Sequence, residues 1–162
     1  MKKVTILVPC YNEAKSLHFL YAELKALMDG ENEYNWEVLF VNDGSRDKTL
    51  DIIRDLQRED KRICFVDLSR NFGKENAMLA GFDYATGDCV VILDADLQDP
   101  PSLIPSMLKE WETGYDDVYA KRSSRGKESW LRKRLSLLFY SILQDSTKFE
   151  ILKNVGDFRL LD

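Results

Sequence analysis

The 162-residue sequence has few cysteines and no long apolar run. Its three cysteines, Cys10, Cys64 and Cys89, are far apart, and each lies in or beside a short apolar stretch. An odd number of widely spaced cysteines argues against a disulfide framework and against a cysteine-ligated zinc site. We therefore expect buried thiols in a reducing cytoplasm.

The apolar stretches are also too short for a membrane span, which takes about 20 residues. The longest uncharged one near the C-terminus covers residues 135–143. Met1 is followed by two lysines and a short strand-like run, so we expect no secretory signal. Hydrophobic residues make up 44% and charged residues 31%, which is typical of a soluble domain with its own core.

The common signatures of nucleotide-binding and nucleophilic sites are missing from the sequence. None of the 8 glycines belongs to a GxxxxGK[ST] or GxGxxG motif, so neither a P-loop nor a dinucleotide fingerprint is predicted. A GxSxG nucleophile elbow is absent as well. A nucleotide site in this chain would have to be built from other residues.

Positive charge is scarce overall but concentrated in one segment. The net charge is −5, yet residues 121–134 carry seven lysines and arginines against one acid, a net +6 that leaves −11 elsewhere. This asymmetry indicates a local anionic partner and not general nucleic-acid binding. Residues 130–143 continue as an amphipathic helical pattern with Trp and Phe, so segment 121–143 is predicted to contact a membrane surface. A core-packing helix with a solvated basic end is the alternative.

Strand-like and helical patterns alternate along the chain. Apolar strand-like runs cover residues 4–8, 37–41, 63–68, 90–93 and, more weakly, 117–120. Helical patterns lie between them. The first is an amphipathic stripe with Leu17, Leu20, Leu24 and Leu27, and the second is a helix predicted over 46–58 with Ser45 as its N-cap. The third is a small-residue face around Ala77 and Gly81, and the fourth is a helix from Pro101 to about Glu112. This order predicts an α/β fold with an open, mainly parallel, Rossmann-like sheet and helices on both faces.

Polar clusters follow four of the predicted strands, at residues 10–13, 42–45, 69–74 and 94–99. In open α/β sheets, ligands bind beyond the carboxyl ends of the strands. The recurrence of polar residues at these ends therefore predicts a single binding crevice.

Asp94 and Asp96 are the strongest candidates in that crevice. Two carboxylates spaced two apart on an extended chain face the same side and would repel each other unless a cation or protons lay between them. Mg²⁺ and Mn²⁺ accept one or two carboxylates together with phosphate oxygens. Gln98 and Asp99 follow closely and favour a built metal site. An exposed acidic turn is the alternative.

The other clusters each allow two interpretations. Asp43 suits a ribose or a base edge, although an Asx turn explains its neighbours. Tyr11 suits base stacking and Glu13 a base edge, although both stand in an ordinary strand-to-helix turn. Arg70 and Lys74 suit a pyrophosphate at the mouth of a helix, although either could be a solvated charge.

These motifs, in this order, resemble glycosyltransferase family 2, whose members have the GT-A fold. The matching stretches are VTILVPCYNE at 4–13, VNDGSRDKT at 41–49, LSRNFGKENAMLAGFDYATGD at 68–88, DADLQDPP at 94–101 and NVGDFRLLD at 154–162. Within the family, the chain resembles the polyprenyl-phosphate sugar transferases, such as bactoprenol glucosyltransferases and dolichol-phosphate mannose synthases. Members of that subgroup usually continue into membrane helices, so we expect 1–162 to be a single catalytic domain truncated at its C-terminus.

The resemblance implies an inverting transfer from a UDP- or GDP-sugar to a polyprenyl phosphate at the cytoplasmic membrane face, with Mg²⁺ or Mn²⁺. The residues it assigns to substrate binding are Pro9, Tyr11, Glu13, Asp43, Arg70, Lys74, Asp94 and Arg159. Metal binding falls to Asp94, Asp96 and Gln98. The catalytic positions are Asp157, Asp99 and Arg122. Arg122 matches a basic position near the acceptor phosphate. A homo-oligomer is also compatible with the resemblance.

The acceptor decides whether a general base is needed. A phosphate monoester is already anionic at neutral pH, because its second pKa is about 6. A saccharide hydroxyl, the alternative acceptor, needs a base, for which Asp157 and then Asp99 are candidates. Two functions of other classes stay open: a non-catalytic nucleotide-sugar-binding module, and a phosphatase-like domain with an aspartyl nucleophile. The second lacks the Ser or Thr expected soon after Asp96.

Overall fold

A computed structural model describes residues 1–121 and 155–162. Its strands are β1 (Lys3–Cys10), β2 (Asn35–Asn42), β3 (Ile63–Asp67), β4 (Cys89–Ile92), β5 (Asp117–Lys121) and β6 (Val155–Leu161). Its helices are α1 (Leu17–Gly30), α2 (Thr49–Glu59), α3 (Lys74–Tyr84) and α4 (Ile104–Glu112). The strands form near the predicted positions because their apolar runs are rich in β-branched residues.

The strands form one sheet in the order β3-β2-β1-β4-β6-β5. β1 pairs in parallel with β2 and β4, and β2 pairs in parallel with β3, whereas β6 runs antiparallel to β4. The sheet is thus mainly parallel, as predicted. Because β1, β2, β3 and β4 point the same way, the loops after them emerge at one edge.

Both faces of the sheet are covered, which explains why the central strands read as continuous apolar runs. Leu7, Leu39 and Val41 form a buried cluster with Ala77 of α3 on one face. The alternate side chains, among them Ile6 and Phe40, point to the opposite face and are also fully buried. The prediction of a doubly covered α/β sheet is confirmed.

Helix boundaries differ from the prediction in two places. α2 begins at Thr49, not at Arg46, and its N-cap is Lys48 and not Ser45. The Ser45 hydroxyl instead accepts a hydrogen bond from the Asn12 backbone N–H at 3.0 Å, so tertiary contact overrides its capping preference. A 3₁₀ turn over Pro101–Leu103 precedes α4, which starts only at Ile104.

The strand β6 was absent from the predicted elements. Its alternation could have been detected, because Phe158 and Leu160 are buried while Asp157 is exposed. The short run is interrupted by charged Arg159, which weakened the signal in the sequence.

The chain divides into two compact units, Met1–Tyr119 with Asp157–Asp162, and Ala120–Gly156. All contacts reported below lie in the first unit. The single-domain prediction for 1–162 stays a prediction, and the predicted membrane contact at 121–143 falls almost wholly outside the described residues. Across the described part of the chain, no helix combines the length and apolar character needed to cross a membrane.

Candidate active site

A cleft of about 270 Å³ opens at the edge of the sheet where the parallel strands end. All four predicted polar clusters contribute to its lining, which also includes two residues outside them, Pro9 and Ala77. The residues of the clusters that line it are Cys10, Tyr11, Glu13, Asp43, Asn71, Gly73, Lys74, Asp94, Ala95 and Asp96. The prediction that the strand ends converge on one crevice is therefore confirmed. Seven of the residues predicted for substrate or metal are among those that line it.

Hydrogen bonds join the loop after β1 to the segment that follows β2. Asn12 has a left-handed backbone, with φ of 58°, and its side-chain Oδ1 accepts the Arg46 backbone N–H at 2.8 Å. The Glu13 backbone N–H donates to Thr49 Oγ1 at 2.8 Å. These contacts fix the backbone between Pro9 and Glu13, so that Tyr11, which is 42% exposed, stands in the cleft wall.

Glu13 and Cys10 differ in their electrostatic environment. The Glu13 carboxylate accepts a hydrogen bond from the Ser16 hydroxyl at 2.7 Å, which orients it beside the start of α1. Cys10 is fully buried, and its burial, reinforced by the charges of Glu13 and Asp94, raises the pKa of its thiol well above the usual range. A thiol in that state is a poor nucleophile, so Cys10 contributes shape to the cleft and not covalent chemistry.

Asp43 connects the end of β2 to the start of α3. Its carboxylate accepts the backbone N–H of Phe72 at 2.7 Å and that of Gly73 at 2.9 Å. Gly44, at φ 63°, brings this turn so close to the next loop that an added Cβ would lie 2.3 Å from the carbonyl carbon of Arg70. Only glycine fits there, because both the dihedral and the space exclude a side chain.

Lys74 is the first residue of α3, and its ammonium lies between two carboxylates. Its Nζ is 2.6 Å from Asp94 Oδ1, 2.8 Å from Asp94 Oδ2 and 2.6 Å from Asp157 Oδ2. Partial burial lowers the pKa of Lys74, but its hydrogen bonds to Asp157 and Asp94 outweigh that effect and raise it above the ordinary value. The charged ammonium thus joins the end of β4 to β6.

Asp96 follows in a tight turn after β4. Its Oδ1 accepts the Gln98 backbone N–H at 3.0 Å, and the intervening Leu97 has a positive φ of 61°. A leucine in that conformation is strained, and such strain tends to occur at functional sites. Asp96 lines the cleft beside Asp94, and Ala95 between them is buried.

Asp157 contacts Lys74 without lining the cleft itself, and four more of the described site residues do not line it. Arg70 is exposed, with its guanidinium 4.8 Å from the ring centroid of Phe72. Arg159 pairs with Asp117 at 3.5 Å. Gln98 is exposed and Asp99 is buried, and neither lines the cleft. Arg122 lies outside the described residues, and the roles assigned to all the predicted site residues stay predictions.

The carboxylates of the cleft form a small donor set. Within residues 1–121 and 155–162, no three His, Cys, Asp or Glu side chains are grouped so as to hold a metal ion. Asp94 and Asp96 together supply the one or two carboxylates with which proteins usually bind Mg²⁺ or Mn²⁺, the remaining positions being filled by water and phosphate oxygens. These residues therefore fit such an ion.

Sequence reasoning missed several members of the site. Asn71, Gly73 and Ala77 line the cleft, although only the motif around them was noted. Asn71 and Gly73 follow β3 closely, which was the available signal, whereas Ala77 lies within α3. The contact between Lys74 and Asp157 had no signal, because the two residues are 83 positions apart.

Comparison with known proteins agrees with this geometry. The model of the family described as "Glycosyl transferase family 2" matches residues 5–162. An uncharacterized glycosyltransferase, YkcC of Bacillus subtilis, is 46% identical over 98% of this chain and 49% of its own length. The prophage bactoprenol glucosyl transferase homolog of Escherichia coli is 38% identical over 98% of this chain and 52% of its own length. The chain thus spans about half the length of these relatives.

A solved structure adds to the sequence comparison. The mannosyltransferase PcManGT from Pyrobaculum calidifontis, determined in complex with GDP-Man and Mn²⁺, superposes with a TM-score of 0.63 at 26% identity. The superposition covers 75% of this chain and 36% of that one. The resemblance inferred from the motifs is confirmed, and the chain belongs to glycosyl transferase family 2, with the GT-A fold.

Proposed function

We propose that this chain carries the catalytic half of an inverting, metal-dependent glycosyltransferase. The enzyme moves a sugar from a UDP- or GDP-sugar to a polyprenyl phosphate at the cytoplasmic face of the membrane. The observation that carries the proposal is the meeting of Asp94 and Asp96 with Tyr11, Asp43 and Lys74 in one cleft. The names of relatives such as the bactoprenol glucosyl transferase homolog support the choice of acceptor.

The donor nucleotide would lie along the loops after β1, β2 and β3. Tyr11 is exposed enough to stack on a base, and Glu13 offers a carboxylate to its edge. Asp43 is 3% exposed and already accepts two backbone hydrogen bonds. It would act mainly by holding the loop at Phe72 and Gly73 in the shape that receives the nucleoside.

The diphosphate would lie near the end of β4. Asp94 and Asp96 would hold a Mg²⁺ or Mn²⁺ ion, with Gln98 as the further ligand that the family resemblance implies. When bound, the ion would offset the negative charge that develops on the departing diphosphate. Lys74 supplies a second positive charge at the same place.

The acceptor phosphate would require positioning cations more than a base, because it is anionic at neutral pH. Arg159, and Arg122 outside the described residues, are the residues of this chain proposed for that task. The basic segment 121–134 would bring the enzyme to an anionic membrane surface.

A saccharide hydroxyl is the second candidate acceptor, and one observation favours it. The side chain of Asp157 is 54% exposed, and its contact with Lys74 holds it beside the cleft. A carboxylate in that position could take the proton of an attacking hydroxyl. Product formation on a short polyprenyl phosphate, compared with a methyl glycoside, distinguishes the two acceptors.

A thermal-shift experiment tests the donor and the metal together. The protein is heated with UDP-glucose, UDP-N-acetylglucosamine, GDP-mannose or GDP-glucose, each with Mn²⁺ or with EDTA. We expect one nucleotide class to raise the melting temperature only with Mn²⁺, and Asp96→Ala to lose that shift. Asp83→Ala, at an exposed position on α3, is the matched control and should keep it. Equal shifts in EDTA, or none with any donor, would overturn the proposal.

A further inference from the structure

The ammonium of Lys74 lies against the Asp94 carboxylate, which is a proposed ligand of the metal ion. Both Asp94 oxygens lie within 2.8 Å of Nζ, which leaves neither of them clear of the ammonium. A divalent ion binding Asp94 would share these oxygens with the ammonium, so the two cations would compete for the same carboxylate. Repulsion between the two cations would drive the ammonium further away.

Asp157 gives that ammonium a second partner. Its Oδ2 lies 2.6 Å from the same Nζ, and it reaches the cleft from β6, whereas Asp94 follows β4. The Lys74 side chain is long and 38% exposed, and its ammonium already contacts both carboxylates. It can therefore move from one carboxylate to the other without becoming fully solvated. Displacement from Asp94 thus leaves Lys74 paired.

We propose that Lys74 is a positioning residue that substitutes for the metal at Asp94 in the metal-free enzyme and moves wholly onto Asp157 when the metal binds. This inference rests on the proposed function, because it takes Asp94 and Asp96 as the metal ligands. It goes further in coupling the donor side of the site to Asp157. The pairing of Asp157 with Lys74 then depends on whether the metal is present.

The coupling can be measured without turnover, as the affinity for Mn²⁺ in the absence of nucleotide. Free Mn²⁺ is followed by electron paramagnetic resonance during titration of the wild type, Lys74→Gln, Asp157→Asn and the double variant. Lys74→Gln should bind Mn²⁺ about fivefold more tightly, because the ammonium that competes with the metal for Asp94 is removed. The factor is modest because this ion pair is partly exposed. Asp157→Asn should bind about threefold more weakly, because Lys74 then stays on Asp94. In the Lys74→Gln background, Asp157→Asn should change the affinity less than about twofold.

Control variants separate this effect from general changes in charge or folding. Lys74→Arg keeps the cation and can bind both Asp94 oxygens through its guanidinium, so it should not bind Mn²⁺ more tightly than wild type. Lys109→Gln removes an exposed lysine of α4 and should bind Mn²⁺ as the wild type does. Circular dichroism checks that each variant is folded.

The outcomes distinguish this inference from the proposed function. If the wild type binds Mn²⁺ but Lys74→Gln binds it equally or more weakly, the inference is overturned and the metal site stands. An equal effect of Asp157→Asn in both backgrounds overturns the coupling. If the wild type binds no Mn²⁺ even with UDP or GDP, the metal site of the proposed function fails and the inference fails with it.

Discussion

The Asp43 carboxylate and the Gly73 backbone N–H are joined by a hydrogen bond of 2.9 Å. The bond links the end of β2 to the residue that precedes Lys74, so the loop after β3 is held by a buried acid from the loop after β2. The other oxygen of the Asp43 carboxylate accepts a hydrogen bond from the Phe72 backbone N–H. Asp43 therefore has a structural task besides any contact with a nucleoside.

The first prediction separates these two tasks of Asp43. In Asp43→Asn, the amide NH₂ would face the backbone N–H of Phe72 or Gly73 where a carboxylate oxygen accepted it, so one hydrogen bond would be replaced by two donors facing each other. We expect a loss of about 1–3 kcal/mol in unfolding free energy, measured in urea, together with weaker nucleotide binding. Asp83→Asn is the exposed control. A variant with unchanged stability but weaker nucleotide binding would show that Asp43 serves the ligand alone.

The second prediction concerns the close approach at Gly44. Gly44→Ala adds a Cβ that would collide with the Arg70 backbone and also strains a left-handed residue. We expect it to cost about 2–5 kcal/mol in unfolding free energy. Gly114, with φ of 102°, has no atom within 4 Å of an added Cβ, so Gly114→Ala carries the dihedral strain alone. A loss well below about 2 kcal/mol in Gly44→Ala would contradict the collision.

The strand ends were predictable from the sequence because each feature was local. The apolar run before Asp94 and the polar residues after it lie within one short stretch, and parallel strands bring such stretches to one edge. The positions of Asp43 and Asp96 in the cleft follow from that rule alone. The same logic found Tyr11 and Glu13.

Other features depend on contacts between distant segments. Ser45 has the properties of an N-cap, yet its hydroxyl accepts a hydrogen bond from the backbone N–H of Asn12 in another loop. The helix therefore starts four residues later, at Thr49. The left-handed backbone at Leu97 has no signal in the sequence, because leucine rarely adopts it. Such conformations are imposed by the surrounding structure and not by local preference.

The third prediction is a pH dependence that comes from Asp60. The side chain of Arg62 hydrogen-bonds to its carboxylate, and Tyr21 donates to it at 3.1 Å, so that the pKa of Asp60 falls to about 2. An unfolded aspartate titrates near 3.9. Since the folded pKa is the lower one, the pair stabilises the protein above about pH 4, and that stability is lost as the pH falls toward 2.

Asp60→Asn tests this sign. We expect the variant to be less stable than wild type by about 1–2 kcal/mol at pH 7, and the difference to shrink steadily between pH 4 and pH 2. Urea unfolding at pH 7, 5, 4 and 3 measures it. A difference that stays constant over this range would mean that Asp60 acts through packing and not through its charge.

The fourth prediction concerns the basic segment, whose charge pattern is known from the sequence alone. Replacing Arg132, Lys133 and Arg134 with Gln removes three positive charges. Since each contributes about 1 kcal/mol near an anionic surface, binding to phosphatidylglycerol vesicles should fall by about two orders of magnitude at low salt.

A control triple variant replaces three exposed lysines, Lys15, Lys61 and Lys109, with Gln and has the same change in net charge. Cosedimentation measures both variants. An equal loss of vesicle binding in both variants would mean that only the overall charge matters. Unchanged vesicle binding in both would favour a basic segment that packs against the protein.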